Sequence, residues 1–101
     1  MVLQVEVAEL ASDSLLNAAS YIAVRVGEPR AALELLDEFD DFVDRVSDFP
    51  DIYPLCADET LAFRDIRKAL IKNYLALCEV LDEKIFVIGF FHQRQDYAKL
   101  V

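Results

Sequence analysis

A chain of 101 residues with 55% hydrophobic and 11% aromatic residues, two glycines and three prolines is too apolar to be disordered and leaves room for few loops. Its length fits a single domain, residues 1–101. No apolar stretch approaches the roughly 20 residues that span a bilayer, and the N-terminus lacks the basic start and apolar core of a signal peptide. We therefore expect a cytoplasmic protein that does not enter a membrane.

The net charge of −9 is divided unevenly along the chain. Residues 1–59 contain 14 acidic and 3 basic side chains, whereas residues 60–101 contain 5 acidic and 7 basic ones. Because summed positive charge dominates the binding of nucleic acid, long-range attraction to it is weak for such a molecule. Any anionic target must therefore be bound by a local patch on the second half.

The sequence contains no metal-binding or cofactor-binding motif. Cys56 and Cys78 are far apart and form no CxxC pair, and His92 is the only histidine. A zinc site needs more ligands at usable spacing, so we expect no metal and no cofactor. The two cysteines are expected to be reduced thiols that act as small apolar residues.

The first half of the chain predicts a strand followed by two helices. Leu3, Val5 and Val7 alternate with polar residues, which is the period of a half-buried strand. After this strand the apolar spacing lengthens to that of a helix, and Gly27 is a suitable residue to end it in the left-handed conformation. Pro29 then fits the first turn of a second helix.

The second helix has one apolar and one acidic face. The apolar face consists of Ala32, Leu35, Leu36, Phe39, Phe42, Val43 and Val46. The opposite face consists of Glu34, Asp37, Glu38, Asp41, Asp44 and Asp48. These carboxylates could bind a metal or exchange protons, but a solvated helix face is by far the commoner outcome for such a pattern.

A loop follows the second helix. Phe49-Pro50 and Tyr53-Pro54 mark it, because the residue before a proline is biased towards extended geometry. The loop is predicted to run to about Glu59. From Thr60 onward the chain is predicted to be extended.

The last part of the chain predicts a run of antiparallel strands. Lys72-Asn73 indicates a tight turn, since asparagine tolerates positive φ. Residues 75–80 and 85–91 are mostly apolar and predict a hairpin across an Asp82-Glu83 turn. Residues 95–100 are predicted to form a short tail with one helical turn. The elements together predict an α+β fold, in which an N-terminal strand and a two-helix hairpin pack on a small, mostly antiparallel twisted sheet of about four strands.

This arrangement resembles the RelE/ParE superfamily of toxins from bacterial type II toxin–antitoxin modules. Three motifs carry the resemblance, which covers essentially the whole chain: FP at 49–50 after the helical hairpin, RKALIKNY at 67–74, and HQRQDY at 92–97. No single motif is specific. Their order, their spacing and the total length are specific in combination.

The resemblance implies one of two activities. RelE-like toxins enter the ribosome and cleave mRNA without a metal, using basic, hydroxyl and imidazole side chains on a concave sheet face. ParE-like toxins inhibit DNA gyrase and need no nuclease residues. Both kinds are neutralised by a cognate antitoxin, whose tail wraps the toxin, so the resemblance also implies a toxin–antitoxin hetero-oligomer.

Arg67 is the first candidate site residue, because it matches the arginine that begins the strand-to-hairpin segment in the family. In a nuclease its guanidinium would hold a phosphate. The alternative is a strand-surface arginine paired with Asp65 or Glu79.

His92, Arg94 and Tyr97 complete the candidate site of a RelE-like enzyme. His92 is the only imidazole, and imidazole is the side-chain type that can exchange protons near neutral pH without a perturbing environment. In an extended chain, Arg94 would project to the same side of the strand as His92. Tyr97 would supply a hydroxyl or a stacking surface. The alternative is a terminal segment tied down by Asp96 and Tyr97 with no chemical role.

Two departures from RNA-cleaving relatives favour gyrase over the ribosome and its mRNA as the target. The chain is acidic, whereas RNA-cleaving relatives are rich in lysine and arginine. It also lacks the closely spaced basic residues of a phosphate-binding groove. A further alternative is a non-toxic member of the same fold that only binds protein partners.

Overall fold

The computed structural model describes residues 2–100. The strands are β1 (Gln4–Val7), β2 (Arg67–Ile71), β3 (Tyr74–Leu81) and β4 (Lys84–His92). The helices are α1 (Glu9–Val24), α2 (Pro29–Asp48) and α3 (Glu59–Phe63), and a single 3₁₀ turn spans Tyr97–Lys99. The strands form one sheet in the order β1-β4-β3-β2, in which only the β1–β4 pair is parallel. The predicted α+β architecture is therefore confirmed.

The helical hairpin covers one face of the sheet. Its buried residues recur at helical spacing on α1 and α2 and meet the inward-facing side chains of β2, β3 and β4. Aromatic packing joins the layers, since the Phe39 ring lies edge-on to that of Phe90 at 5.8 Å and beside that of Phe42 at 5.6 Å. The acidic side chains of α2 are exposed, as expected for a solvated helix face.

The opposite face of the sheet is also partly covered, which the sequence pattern does not indicate. A second cluster, formed by Cys56, Leu61, Ile66 and Leu77, lies there under α3 and the C-terminal turn. Residues from Thr60 to Phe63 are thus helical, and the predicted extended start at Thr60 is wrong. Five residues are too few to display helical periodicity, and the capping residue Asp58 is the one local signal.

Both predicted turns between strands are present. Asp82 and Glu83 join β3 to β4 with φ of 51° and 65°, as a two-residue hairpin turn requires. The Lys72-Asn73 turn is also present, as predicted. The residue with positive φ is Lys72, at 57°, and not Asn73 as the sequence suggested. Within residues 2–100, no helix is both long and apolar enough to cross a membrane.

Candidate functional site

Arg67 is anchored to the loop that precedes α3. Its Nη1 donates a 2.7 Å hydrogen bond to the backbone carbonyl oxygen of Tyr53, and its Nη2 lies 3.6 Å from a carboxylate oxygen of Asp51. Neither predicted partner, Asp65 or Glu79, pairs with it; Glu79 instead pairs with Arg64 at 3.4 Å. In this arrangement the guanidinium holds a loop against the start of β2.

His92 ends β4 and lies on the helical side of the sheet. Its ring meets the Tyr74 ring edge-on at 5.3 Å, and Tyr74 stacks on Phe90 at 5.1 Å. The chain turns immediately after His92 rather than staying extended, so Arg94 does not follow the predicted strand geometry. The backbone N–H of Arg94 donates to His92 Nδ1 at 3.2 Å, which requires that nitrogen to be unprotonated.

Tyr97 lies on the other face of the sheet, where it packs against the second cluster. Burial, followed by the nearby Cys56 and Asp58, raises the pKa of its hydroxyl above the ordinary value. At neutral pH this hydroxyl is therefore protonated and can donate a hydrogen bond, but it is a poor proton acceptor.

The four predicted site residues do not form one cluster. Arg67 pairs with Cys78 and His92 with Tyr74, which lie four residues apart on β3. At about 3.4 Å per residue and two strand spacings of about 4.8 Å, the Cα atoms of Arg67 and His92 are roughly 16 Å apart. Tyr97 is separated from His92 by the sheet itself. Only His92 and Arg94 are neighbours.

A groove on the sheet face opposite the helical hairpin has a volume of about 580 Å³. It is lined by Tyr53, Pro54, Lys68, Leu70, Leu75, Gln93 and Tyr97. Lys68 is its one cationic lining residue, and His92 and Arg67 do not line it. The groove therefore offers an apolar floor and a single positive charge to a ligand.

Two adjoining clefts flank the end of β4 on the helical side. The first, here called the hairpin cleft, measures about 350 Å³ and lies between the α1–α2 connection and the β2–β3 turn. The second, here called the strand-end cleft, also measures about 350 Å³ and lies between α1 and the end of β4. Tyr21, Tyr74 and His92 line both clefts. Of these three, the sequence indicated His92 as a candidate site residue and Tyr74 only as the end of the RKALIKNY motif, whereas Tyr21 lies on α1 and belongs to no motif.

No group of three or more His, Cys, Asp or Glu side chains among residues 2–100 is placed to hold a metal ion. Proton transfer and phosphate binding by one site need side chains that converge on one point. The imidazole of His92, the guanidinium of Arg67 and the phenol of Tyr97 instead face three different surroundings.

Comparison with known proteins agrees with the fold and the motifs. A search of curated protein sequences found no significant match. A chain from the chromosomal ParDE toxin–antitoxin system of P. aeruginosa has the same fold, with a TM-score of 0.72 and 14% sequence identity over 90% of this chain and 96% of that one. The family model for the ParE toxin of the type II toxin–antitoxin system parDE matches residues 5–97. The chain therefore belongs to the ParE toxin family.

Proposed function

We propose that this protein is the toxin of a type II module that inhibits DNA gyrase in the bacterial cytoplasm and is neutralised by a cognate antitoxin. Family membership supports the toxin assignment. One structural observation favours gyrase over mRNA: the groups needed for metal-independent RNA cleavage are dispersed. A gyrase inhibitor needs a complementary protein surface and no such cluster.

The charge of the molecule supports the same choice. The Arg67 guanidinium, the residue best suited to bind a phosphate, is occupied by the Tyr53 carbonyl and by Asp51. The groove on the open sheet face has Lys68 alone as its cation. Binding within ribosomal RNA depends on many phosphate contacts, which this surface does not supply.

The exposed surface around the end of β4 is the proposed contact with gyrase. It carries the exposed guanidinium of Arg94 beside the aromatic pair His92 and Tyr74, and the exposed Lys72, which forms an ion pair with Glu34 at 3.6 Å. Aromatic and arginine side chains of this kind contribute most of the energy at protein interfaces. Apart from Glu34, which pairs with Lys72, the exposed acidic side chains of α2 take no part in this contact and keep the toxin soluble.

The test is a comparison of targets. Expression of the chain alone is expected to arrest bacterial growth, and the purified protein is expected to block supercoiling by gyrase at concentrations that leave mRNA on translating ribosomes intact. Cleavage of mRNA with gyrase unaffected would reverse the choice of target. Normal growth at confirmed soluble expression would favour the non-toxic, protein-binding alternative.

A matched pair of variants locates the contact. Arg94→Ala removes an exposed cation from the proposed surface, whereas Arg30→Ala removes one from the first turn of α2. We expect Arg94→Ala to weaken gyrase inhibition about tenfold or more, as for an interface hot spot, and Arg30→Ala to leave it unchanged. Equal inhibition by both variants would exclude the end of β4 as the contact.

A further inference from the structure

We propose that the hairpin cleft binds a lysine or arginine side chain of the antitoxin, and that an adjacent apolar side chain of the same segment enters the strand-end cleft. This inference rests on the proposed function, because it identifies how the partner of the toxin is recognised.

The charges around the hairpin cleft favour a cation. Its charged lining residues are Glu28, Glu34 and Lys72; Lys72 forms an ion pair with Glu34 at 3.6 Å, whereas Glu28 forms none among residues 2–100. The C-terminal end of α1 also borders the cleft through Ile22, and Val26 lines it just beyond the helix. That end carries the negative pole of the helix, and the last turn of α1 contains no basic residue, although exposed Arg25 follows it.

The walls of the cleft fit a long side chain with an apolar stem. Ile22 and Leu35 provide aliphatic surface, and the rings of Tyr21 and Tyr74 provide aromatic surface. Tyr21 is 58% exposed, so its ring is available to a ligand. Lysine and arginine pack their methylene groups along such surfaces, keep the charged head near carboxylates, and gain further attraction from aromatic rings.

The two clefts share one wall, so two neighbouring side chains of one bound segment can enter them together. Tyr21, Tyr74 and His92 line both, and the strand-end cleft is lined further by the apolar Ala18, Phe90 and Phe91 and by the polar Ser14, Asn17 and Gln95. A side chain next to the bound cation in the partner sequence would therefore meet apolar groups at Ala18 and Phe90 beside hydrogen-bonding groups. The Ala18 and Phe90 part of this surface is suited to an apolar neighbour of the basic residue.

The surrounding charge identifies the occupant as a protein segment. The helical hairpin, residues 9–48, holds 10 acidic and 3 basic side chains. This surface repels phosphate and therefore disfavours nucleic acid as the ligand of the cleft. It attracts a basic segment, and the partner implied by a toxin of this family is the antitoxin.

The probe for the test is the capped tripeptide acetyl-Leu-Arg-Leu-amide, compared with the same peptide in which uncharged citrulline replaces arginine. Binding to the full-length toxin is followed by NMR chemical shifts. We expect the arginine peptide to shift resonances of Tyr21, Tyr74 and His92, and the citrulline peptide to bind about fivefold or more weakly, since it lacks the charge. Equal affinity for both peptides, or shifts confined to other residues, would overturn the proposal.

Two substitutions test which carboxylate attracts the arginine of the peptide. Glu28→Gln keeps the shape of the side chain and is expected to weaken the arginine peptide about fivefold, whereas Asp40→Asn, on the exposed face of α2, leaves it unchanged. Equal effects of both substitutions would mean that general acidity attracts the peptide, and would refute a specific site.

Whether the antitoxin occupies the cleft is tested by adding the peptide to the complex of the toxin with the product of the adjacent gene. The peptide is expected not to bind this complex, because the antitoxin fills the cleft; unchanged peptide binding would refute the antitoxin as occupant. Failure of the proposed function is seen separately, as an absence of growth arrest by a toxin that still binds the peptide.

Discussion

Nη1 of Arg67 donates a 2.7 Å hydrogen bond to the backbone carbonyl oxygen of Tyr53, fourteen residues earlier in the chain. The loop at 49–55 is held against β2 by this contact, by the Lys68 N–H to the Pro54 carbonyl at 3.0 Å, and by a bridge between Leu55 and Arg67. The Tyr53 ring then packs on Phe42 at 5.5 Å. The arginine that matches the family motif is thus a stabilising residue of this loop.

Arg67→Ala is expected to lower the free energy of unfolding by about 1–2 kcal/mol, because a charged donor is lost and a carbonyl loses its partner. Asp51→Ala is expected to cost under about 0.5 kcal/mol, since Asp51 is 88% exposed and its ion pair with Arg67 is screened. Urea unfolding of both variants measures the difference. An Arg67→Ala variant as stable as the native chain would show that the loop is held by other contacts.

The thiol of Cys78 makes stability depend on pH at alkaline values. Burial raises its pKa from an ordinary value of 9.0 to about 11, with the nearby Arg67 guanidinium acting in the opposite direction. As pH rises, the unfolded chain therefore loses this proton before the folded chain does. The stability that depends on the protonated thiol is complete below about pH 9 and is lost as pH rises towards 11, a loss of about 2–3 kcal/mol.

This is measured by urea unfolding of the native chain and of Cys78→Ala between pH 8 and 11. The native chain is expected to lose stability more steeply, while ionisation of the tyrosines affects both proteins alike. Parallel pH profiles for the two proteins would contradict the raised pKa of Cys78.

Local patterns in the sequence were sufficient for the helical hairpin and the β3–β4 hairpin. The stripe on α2 repeats over 20 residues, and the apolar runs of β3 and β4 are bounded by Asp82 and Glu83, so periodicity and turn chemistry agree. The helix α3 was missed because five residues contain barely more than one turn.

The candidate site was harder to predict because its geometry is set by distant contacts. Arg67 was predicted either to hold a phosphate or to pair with Asp65 or Glu79. Its shortest hydrogen bond instead goes to a carbonyl oxygen of a loop whose path no local rule specifies. His92 and Tyr97 are five residues apart in sequence, yet a turn after β4 sends them to opposite faces of the sheet. Tyr21 joins the site only through the packing of α1 on β4.

Asp58 caps the short helix α3. Its side chain accepts a hydrogen bond from the backbone N–H of Leu61 at 3.1 Å, and Leu61 is buried in the second cluster. Asp58→Ala is expected to cost about 1 kcal/mol of unfolding free energy, whereas Asp58→Asn, which keeps a capping oxygen, is expected to cost much less. Chemical denaturation compares them; equal losses would show that charge rather than capping is responsible.

Gly89 lies beneath the ring of Phe91 on β4. A Cβ atom at residue 89 would overlap Cε2 of Phe91 and lie 2.9 Å from its Cζ. The half-buried ring packs against the second cluster, so a shift that makes room for the Cβ atom would disturb this packing. Gly89→Ala is therefore expected to destabilise the fold by about 1–3 kcal/mol through overpacking, although alanine is otherwise no worse than glycine in a strand.

The companion substitution Phe91→Leu tests the cause, since leucine lacks the overlapping ring atoms. If the clash is responsible, the double variant loses less stability than the sum of the two single variants, by more than about 0.5 kcal/mol. Urea unfolding of the four proteins gives this coupling energy. Additive losses would mean that the cost of Gly89→Ala arises from the β4 backbone at the irregularity beside Leu77, where two strand registers meet.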